Sequence, residues 1–179
     1  MSSQGRAVAL QDSGRIVIVG ASLAGLRAAE AMRADGFAGS LTIIGDEPYL
    51  PYDRPPLSKA VLAGWVPAAQ TRLPRRETLI DVEWRLGVAA TGLDLPGKRV
   101  RLADGHTITF DRLLIATGTR ARPWPNQAEA QLDGVFTLRG RDDAQRRMTD
   151  PYLVATTALL LVAQSRFPAQ GQAVGHRHP

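Results

Sequence analysis

Three residues near the start of the chain have the spacing of a phosphate cradle. They are Gly20, Ser22 and Gly25, in the stretch RIVIVGASLAGLRAAEAMRADG that begins at Arg15. In a G-x-G-x-x-G turn the first glycine makes the tight turn and the second lets backbone approach a diphosphate. The third lets helix and strand pack closely. Serine holds the middle place here; its side chain is short, and its hydroxyl can itself face a phosphate. Amides at the amino end of the following helix point at the anion, and Ala29 is a further small packing residue. A ribose-binding acid is expected at the end of the second strand, about twenty residues on. Asp46 stands there, with Glu47 beside it. This is the chemistry of holding a dinucleotide, with no distinction between flavin and nicotinamide types. The same spacing also serves as a packing turn in other α/β proteins, and an acid at position 46 also serves as a turn or helix cap.

The elements around these residues follow from pattern. Residues 15–19 are branched and apolar and end at Gly20, which predicts a strand. Residues 23–34 predict a helix, with Leu26, Ala29, Ala31 and Met32 as apolar positions and Gly36 and Gly39 as breakers. Residues 41–44 predict a second buried strand, and two strands joined by a helix make a right-handed βαβ unit with a parallel sheet. The prolines of DEPYLPYDRPPLSKAVLAG predict a loop, then a short helix over 56–62. Residues 64–76 are loop-like, and 77–81 predict a turn or short helix. Short strands are expected at 83–86, 89–93, 99–102 and 107–110, with LPGK and ADGH as hairpin turns. A buried strand is expected at 112–116, running into Thr117 and Gly118. Residues 119–134 read as loop, 135–138 as a strand, and a helix starts at Asp142.

Composition narrows the classes. Hydrophobic residues are 44% and charged residues 22% of 179, the balance of a soluble globular protein. There is no cysteine, which excludes disulfide scaffolds, cysteine-bound metals and a thiol redox centre within these residues. The amino-terminal stretch carries no long apolar run, and the longest apolar run is too short for a bilayer, so a cytoplasmic protein with no membrane partner is expected. The net charge is +5, and only Lys59 and Lys98 are lysines. Basic charge attracts nucleic acid or acidic partners, but these arginines are scattered and not interleaved with aromatics, so no nucleic-acid partner is expected. His106, His176 and His178 do not form a metal-ligand pattern.

Two blocks, IGDEPYLPYDRPPLSKAVLAG and FDRLLIATGTRARPWP, together with GVFTLRGRDDA, are similar to the FAD-dependent ferredoxin-reductase family, the flavoproteins that serve aromatic-ring dioxygenases. The likeness runs from about Arg15 to Ala144 and implies a Rossmann-like FAD-binding domain of class α/β, a parallel sheet with inserted small antiparallel strands. By resemblance, Gly20, Ala24 and Gly25 line the pyrophosphate turn and Asp46 takes the adenosine ribose. Arg54 and Lys59 sit near phosphates and flavin, with Lys59 the candidate catalytic cation beside the isoalloxazine ring, where it favours the anionic reduced form. Ala90 contacts adenine through backbone. Ala116, Thr117 and Gly118 close over the cofactor, and Arg139 contacts it. Solvated-loop roles for Arg54, Lys59 and Arg139, and a plain strand-ending turn at Thr117-Gly118, stay open. The implied activity is transfer of a hydride from NAD(P)H to FAD and of single electrons to a ferredoxin. The basic surface would suit an acidic ferredoxin, although composition bias explains it as well.

After Ala144 the family pattern calls for a strand with a second Gly-rich turn for NAD(P)H. MTDPYLVATTALLLVAQ contains no glycine. The expectation is a truncated or frame-shifted reductase, with a polar disordered stretch over 1–14, the FAD domain over 15–146, and a non-family tail over 147–179 holding a helix at 151–165. The alternatives are a natural single-domain variant, or a non-catalytic FAD- or nucleotide-binding remnant.

Overall fold

In the computed structural model the described residues are 13–132 and 135–148. The run RIVIV forms β1 (Arg15–Val19), and the Ala-rich stretch after Gly20 forms the 12-residue α1 (Leu23–Ala34). The chain returns as β2 (Ser40–Gly45), parallel to β1. Strand β3 (Glu83–Leu86) pairs parallel with β2, and β7 (Arg112–Ile115) pairs parallel with β1. The order is β3-β2-β1-β7, a four-stranded parallel sheet. Between β3 and β7 lies a three-stranded antiparallel sheet of β4 (Ala90–Asp94), β5 (Arg99–Leu102) and β6 (Thr107–Thr109).

The parallel sheet is covered on both faces, which is why its strands read as near-continuous apolar runs rather than alternating ones. Ile16, Ile18, Leu41 and Ile43 face α1 and pack with Leu26, Ala29 and Phe37. Val17 and Ile44 point the other way and pack with Val100, Leu102 and Phe110 of the small sheet and its exit. A third cluster joins Tyr52, Leu57, Val61 and Ala68 to Ala144.

Most expected elements form, with three differences. The helix expected over 56–62 is a short 3-10 helix, Pro55–Ser58, followed by turns; Lys59 at its end leaves helical geometry (φ −129°, ψ −101°). The expected loops hold a 3-10 turn at Ala68–Thr71 and a one-turn helix, α2 (Gln127–Ala130), whose first amides are capped by the Asn126 side chain. Residues 135–138 form no strand. Val135 and Phe136 are 37% and 38% exposed, and the segment belongs to neither sheet, whose described strands run β3-β2-β1-β7 and β4-β5-β6. Helix α3 (Arg141–Met148) starts where expected. The helix expected at 151–165 and residues 1–12 of the polar stretch lie outside the described residues. No helix among the described residues is long and apolar enough to cross a membrane.

Two close contacts set the frame. Gly20 has φ +127°, and a Cβ there would lie 2.1 Å from the Ala116 carbonyl oxygen. At Gly25 a Cβ would lie 2.1 Å from the Gly20 carbonyl oxygen. Buried Glu30 on α1 holds the segment before β3. Burial pushes its carboxyl up, but hydrogen bonds from the Arg27 side chain and the Arg76 amide, and the charges of those arginines, outweigh this and hold it below the usual range.

At the other end of β1, Asp111 accepts from the Arg15 amide at 2.8 Å and from its guanidinium at 3.2 and 3.0 Å. These side-chain and then backbone bonds from Arg15 push the Asp111 carboxyl down to about 2. The folded value lies below the unfolded one, so the stabilisation is whole above the ordinary value of 3.8 and is lost as pH falls toward about 2. Urea midpoints of the wild type and Asp111→Asn should therefore differ by a constant amount at neutral pH and converge below pH 4. Gly20→Ala should cost more than about 2 kcal/mol of unfolding free energy, or prevent folding, because the obstacle is backbone and cannot move aside; urea denaturation of a Gly36→Ala control, which meets nothing within 4 Å, separates the clash from the loss of a glycine.

Candidate functional site

The carboxyl ends of β1, β2 and β7 open onto one cleft of about 500 Å³. In an open parallel sheet this is where ligands bind. β1 contributes Val19 and Gly20, and β2 contributes Ile44 and Gly45 and leads into Asp46 and Glu47. The residues after β7 contribute Thr117, Gly118, Thr119 and Arg120. Ala89 and Ala90 come from the start of the small sheet, and the far wall is the amino end of α3 with Arg139 before it.

Of the residues singled out in the sequence, Gly20, Asp46, Glu47, Arg54, Ala90, Thr117, Gly118 and Arg139 line this cleft. Ser22, Ala24, Gly25, Ala116 and Lys59 do not. Ser22 is the N-cap residue of α1; its carbonyl accepts from the Leu26 amide, and its hydroxyl makes no capping bond. Ala24 is exposed on the first turn of α1, and Gly25 is buried against Ile18 and the Gly20 carbonyl. Ala116 donates its amide to the Val19 carbonyl at 2.7 Å and so ties β7 to β1 beneath the cleft. Lys59 is exposed at the end of the 3-10 helix.

Arg54 is the best-anchored cation of the wall. Its Nη2 donates to Glu47 Oε1 at 2.6 Å, and its Nη1 donates to Tyr52 Oη and to the Arg139 carbonyl, both at 3.0 Å. The guanidinium also lies over the Tyr52 ring, 4.9 Å from its centroid. Tyr52 Oη donates to Glu47 Oε2 and accepts from the Arg141 amide at 3.1 Å. Burial first, and then the Glu47 hydrogen bond, push this hydroxyl well above the ordinary tyrosine value, so it stays protonated and keeps donating. Asp143 accepts from the amides of Arg139 and Gly140 at 2.9 and 2.7 Å, which fixes the entry to α3.

The remaining charges divide unevenly. Arg120 Nη2 donates to Asp46 Oδ2 at 3.0 Å, across the mouth of the cleft, with both side chains more than half exposed. Arg139 Nε donates to the Thr119 carbonyl at 2.9 Å, and Arg146 pairs with Asp143. Arg141 lies over the Tyr49 ring, 4.3 Å from its centroid, while Tyr49 Oη donates to Asp142 at 2.5 Å. Arg141 Nε is buried without a hydrogen-bond partner among the described residues. No group of three or more potential metal ligands occurs among those residues.

Sequence reasoning missed Tyr52, Arg120, Arg141 and Asp143. Tyr52 and Arg120 sit inside the quoted blocks PYDRPP and ATGTR, and Arg141 and Asp143 inside GRDDA, so the signal was present. Which of several arginines faces a cleft is set by loop geometry that spacing does not encode.

The comparisons agree with one another. A family model described as pyridine nucleotide-disulphide oxidoreductase matches residues 14–158. The ferredoxin reductase component of chlorobenzene dioxygenase from Cupriavidus sp. (strain PS12) is 41% identical over 138 residues, covering 73% of this chain and 32% of that protein. The ferredoxin–NAD(+) reductase subunit of the benzene 1,2-dioxygenase system from Pseudomonas putida is 42% identical over 132 residues, with the same coverage. Among solved structures, the covalent putidaredoxin reductase–putidaredoxin complex superposes with a TM-score of 0.68 at 34% identity, over 75% of this chain and 34% of the matched chain. The chain spans about a third of the length of these curated relatives. With its Gly-rich turn after β1, its parallel sheet and a match over most of its length, the chain belongs to the pyridine nucleotide-disulphide oxidoreductase family.

Proposed function

We propose that this chain is the FAD-binding portion of an NAD(P)H-dependent flavoprotein oxidoreductase that passes electrons to a ferredoxin. One observation carries the reading. The cleft at the carboxyl ends of β1, β2 and β7 combines a side-chain-free crossing at Gly20, an acid at Asp46 and five lining arginines. That donor set fits a dinucleotide. The acid suits ribose hydroxyls, and guanidinium groups suit a diphosphate.

Within this reading, Gly20 and the amino end of α1 take the diphosphate, and Asp46 takes the ribose next to adenine. Ala90 offers backbone to the adenine, and Arg54 and Arg139 hold phosphate oxygens. Thr117 and Gly118 form the strip that closes over the ligand; Gly118 has φ +66°, a left-handed conformation that glycine adopts without strain. Asp46 must exchange its Arg120 partner for the ribose, an exposed pair that costs little to open. Lys59 as the cation beside the flavin ring rests on the resemblance alone. The chemistry contributed by bound FAD is acceptance of a hydride and release of its electrons one at a time. The chain supplies no thiol pair for disulfide exchange. A cytoplasmic location, and relatives named as ferredoxin reductases, complete the proposal.

A second reading, a FAD- or nucleotide-binding module without its own reduction step, is favoured by the single Gly-rich turn in these 179 residues. Anaerobic addition of NADH to the FAD-loaded chain separates the two: bleaching of the flavin absorbance at an enzymatic rate supports the first, and an unbleached flavin supports the second. A chain that takes up no FAD from solution sinks both. Asp46→Ala and Arg54→Ala should each weaken FAD binding by about tenfold or more, measured by flavin fluorescence quenching, since each removes a charge-assisted contact. Arg54→Ala should also lower the melting temperature, because Glu47 and Tyr52 lose their shared partner, whereas Asp46→Ala should not.

A further inference from the structure

Arg141 is out of keeping with its neighbours. It occupies the first position of α3 and lines the cleft. The other four cleft arginines have protein acceptors: Arg54 has Glu47, Arg120 has Asp46, Arg139 has the Thr119 carbonyl and Arg146 has Asp143. Among the described residues the Arg141 side chain has none, although its Nε is removed from water. A buried guanidinium N–H without an acceptor is costly and uncommon. The acids close in sequence are committed elsewhere, Asp142 to Tyr49, and Asp143 to the amides of Arg139 and Gly140. What holds the side chain is the Tyr49 ring, 4.3 Å from the guanidinium carbon; a guanidinium stacked on a ring keeps its in-plane N–H groups for hydrogen bonds.

From this geometry we propose that Arg141 is a phosphate-binding side chain of the cleft, donating to a phosphoryl oxygen of the bound dinucleotide with Tyr49 as its backstop. The proposal rests on the reading of the cleft as a dinucleotide site and names a contact that the Gly-rich turn does not provide. Phosphate is the favoured acceptor because it offers several oxygens to a planar fork. It also brings negative charge to a cleft whose five arginines outnumber its four acids, Asp46, Glu47, Asp142 and Asp143. The backbone amide of Arg141 is already given to Tyr52. Substituting the side chain therefore leaves the start of α3 anchored.

The test uses the whole chain and four probes: FAD, ADP, adenosine and inorganic pyrophosphate. Binding is read by flavin quenching and calorimetry at low salt. Arg141→Ala should weaken FAD and ADP about tenfold or more, the size expected for a charge-assisted bond, and leave adenosine unchanged. Arg141→Lys should recover part of the loss, as a point charge without the fork. The melting temperature reports folding; if Arg141→Ala fails to fold, Arg141→Gln and Arg141→Lys carry the comparison. Equal weakening of ADP and adenosine means a structural role and overturns the proposal. FAD and ADP binding unaffected by the substitution also overturns it, while the FAD reading stands. Arg141-dependent pyrophosphate binding without FAD binding sustains the proposal and sinks the FAD reading. Failure of the wild type to bind any probe overturns both.

Discussion

The site depends on one place where two stretches of backbone meet with no room for a side chain. Gly20 turns the chain out of β1 while the Ala116 carbonyl comes up from β7, and a single Cβ would put carbon and oxygen 2.1 Å apart. The Ala116 amide bonds the Val19 carbonyl at the same level, so the contact is both close and hydrogen-bonded. Because the two strand ends touch, the residues that follow each of them face one another across a narrow cleft. Gly25 extends the same logic one turn further, seating α1 against the Gly20 carbonyl so that its first amides point where the strands end.

A second constraint is polar. The loop from Glu47 to Arg54 and the entry to α3 are far apart in sequence and are joined through the Tyr52 hydroxyl, which donates to Glu47 and accepts from Arg54 and the Arg141 amide. A fully used buried hydroxyl fixes direction as well as distance. It aligns Arg54 with the Arg139 carbonyl, so the near and far walls of the cleft are fastened by one residue. The ring of the same tyrosine belongs to the third apolar cluster, with Leu57, Val61 and Ala144. Packing and polar positioning are thus contributed by the same side chain.

Much of this was legible in the residues. The first strand and helix were predictable to the residue, because a branched run, a Gly-rich break and an Ala-rich amphipathic stretch leave few other choices. The hairpins of the small sheet were legible from LPGK and ADGH, whose turn chemistry is local. The misses have a common cause. Residues 135–138 have strand composition, but a strand is a property of a pair, and nothing in VFTL announces whether it will pair with a neighbouring edge. Pro55 and Pro56 signalled a helix start correctly but not that Lys59 would leave helical geometry four residues on. In the site, the residues at strand ends were found because strand ends are readable. Arg120, Arg141 and Tyr52 were not, because their roles depend on how loops lie across one another.

The seam between β1 and β7 has a consequence for the order of events during synthesis. Across it Arg15 and Asp111 are 96 residues apart in sequence, and Arg54 and Arg139 are 85. Contacts of such long range close late, because loop entropy must be overcome before they contribute. While the amino-terminal βαβ unit is emerging, one edge of β1 is bare and only half of the cleft exists. The binding surface is therefore a product of completed folding rather than of an early unit. A ligand that needs both walls rewards only chains that have already joined their ends, and so acts as a thermodynamic check on finished molecules.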